Sequence, residues 1–373
     1  MIRTFIHSFD PPGDSPIAGP TVDLDVSEIE DAGIREVLQT PGAAYGAWSI
    51  LDALLTDTGP GSPFTFKEPL GQAREVKVAL SGLFGRFVAR AYLERYIGLS
   101  VFAHLTRRTL PLDGRRRIEI VRLARGDLPD WIACAADLRS LTVAEAKGCH
   151  DPGGPANALA RAWTQAQRID VMARGRRVTV KRIAIATRWG SATSSPTNPH
   201  LSVHDPLDEG EPIEPDDKDA MFIGLLRQHI ANLIEPLGHA ELADALRRLA
   251  RNRFQRGIQR QAADARARLD AAPVREADGG SAIGGLVGGI VTRAGPLREA
   301  LPEAADQDVL SRLNFRPVFV GVERNMIAAA IEGEAGAVRN RLVDVKPEEI
   351  GRSDRAGGWI IPLGSGGRIV RDV

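Results

Sequence analysis

Apolar residues fall at helical spacing over residues 74–104, with Val76, Leu80, Phe84, Phe87 and Ala91 along one stripe, which predicts a helix. Residues 117–123 (RIEIVRL) alternate apolar and polar positions and predict a strand. Two short apolar runs follow, at 131–136 and 141–147, and the Asp137-Leu138-Arg139-Ser140 between them reads as a hairpin turn. Residues 155–172 return to helical spacing, with Leu159, Trp163 and Ala166 on one stripe and Pro155 suited to the first turn. The run at 178–187 (VTVKRIAIAT) is strongly β-prone. The predicted order is helix, strand, strand, strand, helix, strand.

The flanks are patterned differently. Residues 1–73 are rich in Pro, Gly, Asp and Ser with weak periodicity, and predict an irregular arm with short helices near 34–38 and 45–55. Residues 194–219 carry Pro, Asp and Glu and read as an acidic linker; 220–272 predict two or three helices. Residues 273–300 read as a Gly-rich linker, and 301–373 as a small α/β region whose clearest strand is 317–322. The GGSAIGGLVGG stretch sits between no strand and helix that would make it a phosphate loop.

Composition narrows the class. The chain has 373 residues, 43% hydrophobic and 26% charged, which excludes wholesale disorder and a collagen-like chain. No run approaches the ~18 apolar residues of a membrane span. Residues 1–20 lack a basic patch followed by an apolar run, and two cysteines, Cys134 and Cys149, support neither a disulfide framework nor a four-cysteine zinc site, so a cytoplasmic setting is expected.

The 48 basic and 48 acidic residues cancel, yet they segregate. Eight acids and one lysine lie between Asp205 and Asp219, and eight arginines and one acid between Arg247 and Arg268. Such separation permits a nucleic-acid surface on a neutral protein, with Arg247, Arg248 and Arg251 as candidate phosphate contacts. On the second helix Arg161, Gln165 and Arg168, spaced i, i+4, i+7 opposite the apolar stripe, form a second candidate surface. A solvated helix face explains either set as well.

The candidate chemistry lies in the hairpin. With the turn centred between Leu138 and Arg139, opposed residues have numbers summing to 277, so Asp130 faces Lys147 and Ile132 faces Glu145. Opposed residues and residues two apart share a face, so Asp130, Glu145 and Lys147 project together at one end of the ladder. Two carboxylates there can converge on one hard cation, with the Ala146 carbonyl completing the shell, and an ammonium beside the bound water can orient it. Oxygen ligands without a histidine cluster favour Mg2+, with Mn2+ as the alternative. The chemistry such a trio suits is phosphodiester hydrolysis.

Pro129-Asp130, fourteen residues, then Glu145-Ala146-Lys147, in that element order, resembles the PD-(D/E)XK nuclease superfamily. The resemblance covers about residues 74–190, within a core domain expected over 74–193, and implies an α/β (α+β) fold, a restriction-endonuclease-like αβββαβ core around a mixed sheet. It also implies Asp130 and Glu145 as metal ligands and Lys147 as the catalytic lysine. Gln165 matches the glutamine of that family's Gln-x-x-x-Tyr motif, although Ile169 stands where the tyrosine would be. Where the family's first helix often carries Gly-Glu, this chain has Gly85-Arg86, leaving Glu94 or Glu75 as candidates. The expectation is a Mg2+-dependent DNA endonuclease, by analogy in host defence or DNA repair. The alternatives are an inactive nucleic-acid-binding or assembly protein on the same fold, and a delivered nuclease toxin. A protein partner or a homo-oligomer through the C-terminal regions is a further expectation. His200 and His204 lack the spacing or companions of a zinc site. His150 reads as a turn residue and Cys149 has no basic partner in sequence.

Overall fold

The structure is a computed structural model. It describes residues 2–39, 61–64, 74–105, 109–135, 141–190, 197–206, 211–251, 254–274, 285–292, 295–296, 318–343, 360–363 and 367–371. In chain order these form β1 (Ile2–Asp10), β2 (Thr21–Asp25), α1 (Val26–Gln39), β3 (Ser62–Pro63), α2 (Arg74–Tyr92), β4 (Leu99–His104), β5 (Leu110–Asp113), β6 (Ile118–Arg122), β7 (Trp131–Ala135) and β8 (Leu141–Cys149). Then come α3 (Ala156–Ala166), β9 (Ile169–Ala173), β10 (Arg176–Arg177), β11 (Lys181–Arg188), β12 (His200–His204), α4 (Pro215–Ile234), α5 (Ala240–Leu249) and α6 (Gln255–Ala271). The chain continues through β13 (Leu286–Thr292), β14 (Gly295–Pro296), β15 (Val318–Glu323), α7 (Arg324–Glu332), α8 (Ala335–Val343), β16 (Ile360–Leu363) and β17 (Gly367–Arg371). The molecule is mixed α/β.

The main sheet runs β2-β1-β12-β11-β8-β7-β4, with β3 added beside β1. The pairs β8–β11 and β1–β12 are parallel, while β4–β7, β7–β8 and β11–β12 are antiparallel. Both α2 and α3 pack on β8 and β11. Residues 141–146 are buried at every position, so both faces of this part of the sheet are covered. A second sheet, β10-β9-β6-β5, and a third, β14-β13-β15-β17-β16, complete the strands. Helix α4 packs against β4, β5 and α1 and links the helical region to the main sheet.

Several expectations are corrected. The periodicity read as one helix over 74–104 is α2, a π-helical turn at Leu93–Ile97, and the strand β4. Gly98, in the left-handed conformation at φ 76°, ends the helical part, a conformation that favours glycine. β4, not the expected strand at 117–123, is therefore the antiparallel neighbour of β7. The alternating run forms β6, which pairs with β5 and β9 in the second sheet. The helix expected over 155–172 stops at Ala166, because 169–173 is captured as β9 by β6.

The arm expected over 1–73 is not irregular where it is described: β1 and β2 are strands of the main sheet and α1 spans fourteen residues. The pattern of β1 was obscured because Arg3 and His7 face the buried side with Phe5 and Phe9. The short helix expected near 45–55 lies outside the described residues. The expected acidic linker 194–219 contains β12, an interior strand between β1 and β11, and the expected Gly-rich linker 273–300 contains β13 and β14. The helical region 220–272 appears as α4, α5 and α6, with α4 beginning earlier at Pro215. Among the described residues, no helix is long and apolar enough to cross a membrane.

Candidate active site

The hairpin strands pair with Trp131 opposite Ala144 and Ile132 opposite Val143, so opposed numbers sum to 275 and not 277. The expected turn, residues 137–140, lies outside the described residues. A shift of two leaves every side chain on its expected face, because strand facing has period two. It does change partners: Asp130, just before β7, comes level with Glu145, and Lys147 becomes the diagonal neighbour. The backbone N–H of Asp130 donates to Glu145 Oε2 at 2.8 Å, and the backbone N–H of Ala146 donates to Asp130 Oδ2 at 2.9 Å. Each carboxylate is thus held by the other's strand. The Lys147 ammonium donates to Glu145 Oε1.

Close packing of α2 fixes the second side of the site. A Cβ on Gly148 would sit 1.8 Å from the Ser81 carbonyl oxygen, and one on Gly85 would sit 2.7 Å from the Gly148 nitrogen. The two glycines let helix backbone and strand backbone touch, which brings the next residue, Arg86, to the carboxylates. Arg86 Nε lies 3.4 Å from Asp130 Oδ1, and its Nη2 pairs with Glu36 Oε1.

Glu36 on α1 was not legible as a site residue. Its carboxylate is 1% exposed. It forms an ion pair with Arg86 and accepts from Trp131 Nε1 at 2.8 Å and from Arg90 Nη1 at 3.3 Å. His104 Nε2 lies 3.0 Å away. The Arg86 guanidinium, 3.2 Å from His104 Nδ1, can only donate. Nδ1 therefore accepts, and the Nε2–H donates to Glu36. Arg90 also donates to Gln39 Oε1 at 2.8 Å, and Gln39 Nε2 reaches His229 Nδ1 at 3.1 Å. A continuous polar seam runs from α4 through α1 to Asp130. No spacing rule singles out an acid within Ile34-Arg35-Glu36-Val37-Leu38; only tertiary contact does.

Burial alone would raise the Glu36 carboxyl, but Arg86, then His104 and Arg90, hold it well below the usual carboxylate range. Glu145 behaves oppositely. Burial first, and the Asp130 charge second, push its carboxyl well above that range against the pull of Lys147. Burial disfavours the charged form of Arg86, yet Glu36, Asp130 and Glu145 together outweigh it and strengthen its hold on the proton. Glu145 is fully buried, while Asp130, Arg86 and Lys147 are 15%, 22% and 33% exposed, so the site opens on the Asp130 and Lys147 side.

Gln165 turns inward, and the half-buried Arg168 reaches back to the loop before β7. Gln165 Nε2 donates to the Leu128 carbonyl at 2.6 Å and Arg168 Nη1 to the Asp127 carbonyl at 2.8 Å. Both brace the loop that delivers Asp130, which corrects the expected surface stripe; Arg161 alone of that set is exposed. Arg247 bonds Asn232 and Glu235, and Arg248 bonds Asp264 and Asp244, while Arg251 is exposed. Glu94, the candidate first-helix acid, is bound by Arg35 and Arg90 away from Asp130; the side chain of Glu75 lies outside the described residues. His200 meets Ser8 Oγ at 3.0 Å and His204 meets Asp10 at 2.6 Å, without converging. His150 is exposed, and burial raises the Cys149 thiol.

Among the described residues no three or more His, Cys, Asp or Glu side chains form a group that could hold a metal ion. The Asp130–Glu145 pair supplies oxygen donors only, and its mutual repulsion in a dry place is what a hard cation relieves. Mg2+ commonly takes one or two protein carboxylates and completes its shell from water and phosphate. No family model, curated protein or solved structure matches this chain.

Proposed function

We propose that this chain is a divalent-metal-dependent nuclease acting on DNA, built on a restriction-endonuclease-like core of α2, β4, β7, β8, α3 and β11. The supporting observation is the reciprocal lock of Asp130 and Glu145 across paired strand ends, with Lys147 on Glu145. Asp130 and Glu145 would hold Mg2+, or Mn2+ in its place. When bound, the ion polarises a phosphoryl oxygen and lowers the pKa of its water.

The chain's own residues do the remainder. The paired backbone N–H groups fix both carboxylates before substrate arrives, which removes reorganisation from the reaction step. Lys147, one-third exposed at the open side, places its ammonium where it orients the attacking water and offsets charge developing on the phosphate. Gln165 and Arg168 hold the loop leading to Asp130 and act as positioning residues.

The test is incubation of the purified protein with plasmid and with single-stranded DNA, with Mg2+ and with chelator. Cleavage is expected only with the metal, and Glu145→Ala and Lys147→Ala each lower it about 10³-fold with circular dichroism unchanged. A second reading, nucleic-acid binding without cleavage, is favoured by the ion pair of Arg86 with Asp130. Binding without cutting, unaffected by those substitutions, would establish it in place of the first.

A further inference from the structure

The geometry points to a site in which Arg86 acts as a resident competing cation, so that the divalent ion binds tightly only together with a phosphodiester polyanion. The inference rests on the nuclease reading of Asp130 and Glu145 and adds to it a rule for when the ion is held.

The argument is one of charge and placement. Arg35, Arg86 and Arg90 form one ion-pair network with Glu36, Glu94 and Asp130, and the Lys147–Glu145 pair adjoins it through the Asp130 N–H bond to Glu145; with both site carboxylates ionised, as a bound cation requires, these are four positive and four negative groups. The carboxylate pair is therefore already neutralised by the chain, by Arg86 on the Asp130 side and by Lys147 on the Glu145 side. A divalent ion entering alone would leave an excess of two positive charges in a largely buried place, where Coulomb terms are strong. A phosphodiester backbone arriving with it cancels that excess.

Arg86 cannot simply swing away. Its Nη2 is tied to Glu36 and His104, its guanidinium lies over the Trp131 ring at 6.0 Å, and its backbone is pinned by the Gly85–Gly148 contact. The competing charge is therefore a fixed feature of the site. By linkage, the polyanion tightens the ion as much as the ion tightens the polyanion.

The experiment measures Mn2+ binding by electron paramagnetic resonance on the full chain at pH 8. It is done alone and with a phosphorothioate-substituted duplex oligonucleotide, and the Asp130→Asn variant supplies the baseline for each arm. Wild-type protein is expected to bind Mn2+ about tenfold or more tighter with the oligonucleotide than without. Arg86→Gln is expected to bind Mn2+ about tenfold or more tighter than wild type in the absence of oligonucleotide, a gain that damage to the fold would not produce, whereas Arg86→Lys stays near wild type. The wild-type arm requires no substitution, so the test stands even where Arg86→Gln fails to fold. Equal wild-type affinity with and without oligonucleotide overturns the inference and leaves the metal site standing. So does an Arg86→Gln affinity no higher than that of wild type in a variant whose circular dichroism matches wild type. Absence of Mn2+ binding above the Asp130→Asn baseline in every arm overturns the inference and the nuclease reading together.

Discussion

Arginine is concentrated in two regions that behave differently. At the junction of α1 and α2, Arg35, Arg86 and Arg90 share the acids Glu36 and Glu94 around a core in which Arg90 and Glu36 are fully buried and the others mostly so. Along α5 and α6, Arg248, Arg266 and Arg268 pair with Asp264, Asp270, Glu241 and Glu332 at the surface. The same residue type and similar distances carry different consequences. A buried pair stripped of one partner leaves a charge that nothing solvates, whereas an exposed pair is traded for water at little net change.

The largest expected effect is on the buried side. Glu36→Ala leaves Arg90, His104 and Trp131 without their shared acceptor and Arg86 without its buried ion pair, and should cost about 3–5 kcal/mol in urea denaturation. Glu36→Gln, which keeps acceptor oxygen but not charge, should cost less. Equal stability of Glu36→Ala and wild type would put the buried cluster on the same footing as the surface pairs.

A pH effect of intermediate size should arise at the far end of the same seam. Burial, then the Arg90 charge, lowers the His229 pKa from its ordinary 6.5 to about 3. The unfolded chain therefore takes up a proton below 6.5 that the folded chain refuses until about 3. Its contribution to stability is present above 6.5 and declines as pH falls through that window, by up to ~1.4 kcal/mol per pH unit. Denaturation midpoints of wild type and His229→Gln compared from pH 7 to pH 5 should diverge in that direction, with the flatter curve belonging to the variant.

The smallest effect belongs to the surface arginines. Arg248→Ala and Arg268→Ala should each change unfolding free energy by less than about 0.5 kcal/mol. Each should also leave DNA affinity within about threefold, because these cations already face acids of the same helices and their neighbours. A steep loss of affinity in a gel-shift titration would instead make this arginine-rich surface the main polyanion contact.

Much of the proposed chemistry was legible before any coordinates, and the reason is specific. Strand facing depends only on parity, so a hairpin register misplaced by two still put Asp130, Glu145 and Lys147 on one side. The helical region 220–272 was legible through its long apolar periodicity. β4 was hidden because Leu99-Ser100-Val101-Phe102-Ala103 is nearly all apolar, and a continuous apolar run does not distinguish a buried strand from the extension of a helix. Its one local sign was Gly98. β1 and β12 were hidden for the opposite reason: polar Arg3 and His7 share the covered face of β1 with Phe5 and Phe9, and Ser202 is buried on the other face, their demands met by contacts distant in sequence, among them His7 with Tyr92 and Ser202 with Ser8.

The sequence alone determined which residues alternate, which repeat at helical spacing, and that two acids and a lysine share a strand end. Tertiary structure decided that Asp130 lies level with Glu145 and that Gln165 and Arg168 brace the loop leading to Asp130. It also decided that Glu36, from a segment that reads as an irregular arm, organises Arg86 beside the carboxylates. Local pattern fixes the direction in which a side chain points. The partner waiting there, and the water excluded when they meet, depend on segments far apart in the chain, and those two quantities set the energy of a buried charge.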